Sequence, residues 1–177
     1  MCTHRLSALI TALLLVLSLS ACASPDGTPA GMARASAEFA DYDLFVPENW
    51  IVTQSGGAVS AYVSESDPTN VSVMSWEMPY IDSSVDEWWQ SYTAEFETVF
   101  SAFTLESTES TVLDGTAAQK YVYTGVLGEN TYRYTQFAAV RGGVVYVITF
   151  TELASGEEPV DHSTDISDIV TNFRWAE

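Results

Sequence analysis

Basic residues are scarce in this 177-residue chain: Lys and Arg total 6 against 24 Asp and Glu, a formal net charge of −18. Binding nucleic acid depends on Lys and Arg neutralising phosphates, so the composition argues against such a partner. The same acidity repels anionic headgroups and argues against electrostatic adsorption to a membrane. Histidine is rarer still, with only His4 and His162. Cysteine is limited to Cys2 and Cys22, both near the N-terminus, so no disulfide staples the body of the chain. An exported protein built this way must hold itself together through its core, and the length suffices for that. No EF-hand loop and no Gly-rich phosphate loop ahead of a helix is present, and Asp41-x-Asp43 alone is too common to mark a cation site.

Long apolar runs are absent apart from one. His4 and Arg5 precede an apolar stretch from Leu6 to Leu19, shorter than the roughly 20 residues that span a bilayer core. It reads as the h-region of a signal peptide. Two cleavage readings compete. Ala21-Cys22-Ala23 fits an ordinary A-x-A site that would discard the cysteine. Leu19-Ser20-Ala21-Cys22 resembles a bacterial lipobox, which implies a diacylglycerol on the Cys22 thiol and cleavage between Ala21 and Cys22. The lipobox is the preferred reading, because a Pro/Gly/Ser linker follows it directly. It predicts residues 1–21 as a lipoprotein signal peptide and 22–38 as lipidated cysteine plus tether. A flexible tether of about 16 residues spans roughly 20–24 Å. Acyl chains such as palmitate would then hold the domain, residues 39–177, to the cell membrane, facing the extracellular space or periplasm.

Within that domain, Phe45-Val46-Pro47-Glu48-Asn49-Trp50 reads as a strand end running into a Pro-set turn. Gly56-Gly57 predicts a hairpin turn into a strand from Ala58 to Val63. Asp67-Pro68-Thr69-Asn70 is a further turn, and Val71 to Trp76 alternates like a strand. Ser84-x-x-Glu87 forms a capping box, after which Val85, Trp88, Trp89, Tyr92, Phe96, Val99 and Phe100 fall in one arc of about 120° of a single helix. Phe103 to Leu113 alternates weakly. Thr116 to Leu127 and Thr131 to Arg141 predict a hairpin around Gly128-Glu129-Asn130, with Asn130 left-handed. If that turn is three residues long, Tyr121 and Tyr123 face one side of the sheet and Tyr132 and Tyr134 the other. Gly142-Gly143 turns into Val144 to Phe150, apolar on both faces. Ile166, Ile169, Val170 and Phe173 mark a closing helix. The sum is a single α+β domain: an antiparallel sheet covered by helices on both faces.

Four stretches together resemble the PsbP-like family. They are Phe45-x-Pro47-x-x-Trp50, Gly115-x-x-Ala118-x-x-Tyr121-x-Tyr123, Gly143-x-x-Tyr146-x-Ile148-Thr149 and the closing helix with Phe173. The resemblance spans residues 40 to 175. It implies a sheet sandwiched by helices, a fold shared with a photosystem accessory subunit, a eukaryotic Ran-binding protein and bacterial envelope lipoproteins. It also implies accessory or binding work rather than catalysis, and it carries over no functional residue.

The residues themselves agree. Acyl transfer needs a nucleophile, a base and a group orienting the base. After signal removal His162 is the one histidine, read as a solvated loop residue beside Asp161. No catalytic, metal or cofactor-binding residue is assigned, and the covalent lipid on Cys22 is the one attached group. Trp88 and Trp89 flank the helix stripe and read first as core, with Trp89 as the residue of a partner surface should the aromatics be exposed. The reading is therefore a lipid-anchored accessory protein of the cell envelope, binding an envelope or membrane protein. A small-ligand or cation carrier and a carboxylate-based envelope hydrolase stand as alternatives.

Overall fold

The computed structural model describes residues 27–53, 59–80, 82–155 and 160–176. The signal segment with its lipobox, and the Gly56-Gly57 turn with Ala58, lie outside them. Three small strands open the described chain: β1 (Met32–Arg34), β2 (Tyr42–Asp43) and β3 (Phe45–Pro47). β4 (Ile51–Val52), β5 (Ala61–Tyr62) and β6 (Asn70–Glu77) follow, then helices α1 (Val85–Thr93) and α2 (Phe96–Val99). A meander of long strands comes next: β7 (Phe103–Leu113), β8 (Thr116–Leu127), β9 (Asn130–Arg141) and β10 (Val144–Leu153). Helix α3 (Ser163–Asn172) and β11 (Arg174–Trp175) close the chain.

The order of the main sheet is β4-β5-β6-β10-β9-β8-β7, with every pairing antiparallel. β6 and β7 are neighbours among the strands in sequence, yet they lie on opposite sides of the β8–β10 meander. The chain therefore crosses a sheet face through α1 and α2 before the meander returns to β6. The sheet divides two apolar clusters. Val145 and Val147 of β10 join Trp88, Phe96 and Phe100 in one. Ile148 and Phe150, one residue out of phase, join Ile166, Ile169 and Phe173 in the other. This two-phase burial is why the Val144–Phe150 run is apolar throughout.

Four expectations change. Met32–Arg34 are not tether: β1 pairs with β3, and the Leu44 N–H donates to the buried Ser36 hydroxyl at 3.2 Å. The ordered domain thus includes residues placed in the 22–38 linker, because Ala33 and Ala35 fit a packed strand edge as well as a spacer. The single helix is two. Its capping box forms as read, Glu87 N–H to Ser84 Oγ at 3.2 Å and Ser84 N–H to Glu87 Oε2 at 2.7 Å. The helix then breaks at Ala94-Glu95, and Val99 ends up 54% exposed. Asn130 is a strand residue, because Leu127 pairs with it directly and leaves a two-residue turn. Gly128, at φ +61°, supplies the left-handed backbone that turn needs. The shorter turn shifts the register by one, which moves a whole set of side chains to the other face. Tyr123 pairs with Tyr134 and Tyr121 with Gln136, so Tyr121, Tyr123, Tyr132 and Tyr134 share one face rather than two.

Candidate functional site

On the face away from the tyrosines, the floor of the sheet and the flank of α3 enclose a cleft of about 350 Å³. Strand alternation puts Lys120 and Val122 of β8, Arg133, Thr135 and Phe137 of β9, and Glu152 of β10 on its floor. Ile166, Ser167 and Val170 face them from α3. Lys120 lies 3.9 Å from Glu109 and sits over the Phe137 ring, 5.8 Å from its centroid. Arg133 reaches Glu106 at 3.2 Å. Burial raises the Glu152 carboxyl above the usual carboxylate range, with Asp161 and Asp67 adding to the effect and Arg133 and His162 opposing it. The cleft combines an apolar patch of Val122, Phe137 and Ile166 with hydroxyls and charged groups around it, a mix from which a small-molecule site can be built.

His162 lies between the cleft residues Asp161 and Ser163, at the position just before α3. The solvated-loop reading is wrong: the residue is 6% exposed. Nε2 lies 2.9 Å from Asp67 Oδ2 and Nδ1 lies 3.0 Å from Asp165 Oδ2, while Trp50 meets the ring edge-on. Burial disfavours the imidazolium, but the bonds to Asp165 and Asp67 outweigh it and raise the pKa. Burial likewise works against ionised Asp67, and hydrogen bonds from Thr69 and His162 hold its pKa down nonetheless. With both nitrogens engaged by carboxylates, the ring has no free lone pair to accept a proton from a nucleophile. What it does is tie the β5–β6 turn to α3. Asp67 and His162 are 95 residues apart, so no local signal announced the pair.

The opposite face is an aromatic layer. Trp89 is half-buried and stacks on Tyr121 at 3.8 Å with 5° between planes. Trp88 is buried against Tyr92 and Trp76, at 4.7 and 6.2 Å. Trp76 and Met74 remain 36% and 45% exposed at the layer's edge. Burial pushes Tyr121 up to about 12, Asp86 contributing, and Tyr134 up to about 12 as well. Among the described residues the buried Tyr121 hydroxyl has no partner within hydrogen-bond geometry, Asp86 being the carboxylate that acts on it. Of the residues singled out in the sequence, Trp89 belongs to this layer. Leu19, Ser20, Ala21 and Cys22 lie outside the described residues. Lys120, Arg133 and Glu152 were not foreseen as a group. Their one signal is a charged residue in phase with buried apolar neighbours on each strand, and it becomes readable only with the correct hairpin register.

No family model matches the chain, and no curated protein does. Among known structures the fold is PsbP-like. The chain is similar to the solution structure of cyanobacterial PsbP (CyanoP) from Synechocystis sp. PCC 6803, with TM-score 0.53 and 16% identity over 89% of this chain and 99% of that one. It is also similar to the crystal structure of LpqN, described as involved in cell envelope biogenesis of Mycobacterium tuberculosis. There the TM-score is 0.52 and the identity 16%, over 77% of this chain and 83% of the other. At such identity the likeness establishes the fold.

Proposed function

We propose that this chain is an exported accessory protein of the bacterial cell envelope, anchored by lipid on Cys22, that binds a partner or ligand and catalyses nothing itself. In this reading α1 and α2 cover one face of the sheet and α3 covers the other, and the uncovered strip beside α3 is the working surface. The cleft carries the binding role: about 350 Å³, with Lys120, Arg133 and Glu152 around the apolar Val122 and Phe137. The lipobox carries the location, and an envelope-biogenesis protein of the same fold supports it. Carriage of a small ligand is a narrower form of the same reading, favoured by a volume at the lower end of small-molecule sites.

The test compares wild type with Cys22→Ser by mild cross-linking in native membranes and intact-mass analysis. A diacylated monomer with a stoichiometric adduct lost in the variant supports an anchored accessory protein. A diacylated monomer without an adduct favours the carrier form. A soluble monomer beginning at Ser24 overturns the anchor.

A further inference from the structure

One side chain in the cleft is left over. Glu152 faces Arg133 across the β9–β10 ladder, but the Arg133 guanidinium turns the other way, to Glu106 on β7. Among the described residues the Glu152 carboxylate makes no hydrogen bond and no ion pair, and the charges of Arg133 and His162 reach it only at longer range. A half-buried carboxylate with no hydrogen bond or ion pair is costly, and a cation in direct contact, closer than the Arg133 charge that turns to Glu106, would offset that cost. The far end of the cleft limits what kind of cation. Lys120 stands four strand residues from the Arg133 row, about 13 Å away, and its ammonium repels a second positive charge there. Between the ends, Val122, Phe137 and Ile166, all less than 10% exposed, form an apolar patch beside the hydroxyls of Thr111 and Thr135. A bare divalent ion is poorly served, since it wants six or more oxygens. The described residues contain no group of three or more His, Cys, Asp or Glu placed to hold a metal.

We propose that the cleft binds a monovalent organic cation, a protonated amine on a short apolar body, with its ammonium on Glu152 and its hydrocarbon along Val122, Phe137 and Ile166. This rests on the binding reading above and names the ligand class for that cleft. The full chain, purified from membranes in detergent, is titrated with n-butylammonium while thermal stability and calorimetric heat are followed. Sodium butyrate and 1-butanol serve as comparison probes. The butylammonium response is expected to saturate, and the other two are expected to give none at matched concentration. Glu152→Gln weakens the response about tenfold, the size of one charge-assisted contact. Glu95→Gln, an exposed acid at the α1–α2 break, leaves it intact. Ser167→Trp, at an exposed position on the α3 flank, blocks it without lowering the ligand-free melting temperature. An undiminished response from Glu152→Gln, or an equal one to butyrate, overturns the proposal. The anchor is read separately by mass. A lipidated chain with no amine response sinks the cleft assignment alone, and an amine-binding chain without lipid sinks the envelope anchor alone.

Discussion

Gly125 lies in β8 between Phe103 of β7 and Tyr132 of β9, and the Phe100 ring lies across it. A Cβ at this position would sit 2.5 Å from Phe100 Cδ1, 2.6 Å from Cε1 and 2.9 Å from Cγ. The ring cannot swing clear, because Phe96, Phe103, Tyr123 and Tyr134 surround it at centroid distances of 5.3, 6.4, 6.4 and 5.5 Å. Overpacking of this kind costs about 1–3 kcal/mol. Replacing glycine in a strand gains about 0.5–1 kcal/mol by restricting the unfolded chain. Gly125→Ala is therefore expected to lose about 1–2 kcal/mol, a fall in melting temperature of about 3–6 °C. Urea unfolding followed by tryptophan fluorescence measures it. The cause is isolated by a double-mutant cycle with Phe100→Leu, in which the alanine should cost almost nothing once the ring edge is gone. Additive losses, or a Gly125→Ala protein as stable as wild type, would refute the close-approach argument.

The Asp67–His162–Asp165 knot defines a pH window. His162 has a raised pKa, so its stabilisation is complete below the free value of about 6.5 and is lost as pH rises through the folded one. Asp67 has a lowered pKa, so its share is complete above about 3.9 and is lost as pH falls through the folded value. Urea midpoints should fall on both sides of about pH 4–6.5, and Asp67→Asn should lose about 2 kcal/mol inside that window. NMR titration of the His162 ring should give a pKa above 6.5; a value below it would refute the assignment. At alkaline pH, ultraviolet titration should show Tyr121 and Tyr134 withheld until about 12. Because those values exceed the unfolded one, their stabilisation is whole below about pH 10 and lost as pH rises through about 12. Trp89→Ala removes the stack on Tyr121 and should cost about 2 kcal/mol for a half-buried ring. Lost stability with unchanged cross-linking to a membrane partner would retire Trp89 as a contact residue.

The features legible in the sequence are those decided within a few residues. Ser84 and Glu87 close their capping box because both ends of each bond lie in one helical turn. The long strands from Phe103 to Leu153 follow their runs and turn glycines. Where the reading failed, a small local ambiguity had a distant consequence. Two or three residues in the turn after Leu127 look alike in the sequence, yet the choice assigns every tyrosine of the hairpin to a face. His162, flanked by polar residues, resembles any loop histidine until the fold brings Asp67 to it.

By itself, then, the sequence determined local conformation, the α+β class and the acidity that argues against nucleic acid, since propensity, capping and net charge need no distant contact. Only the tertiary structure decided which aromatics share a layer, that His162 is buried between two carboxylates, and that Arg133 turns to Glu106 rather than to Glu152. Those outcomes depend on burial and on which charges meet across strands. Both arise from register and from the return of the chain across the sheet, which no window of neighbouring residues contains.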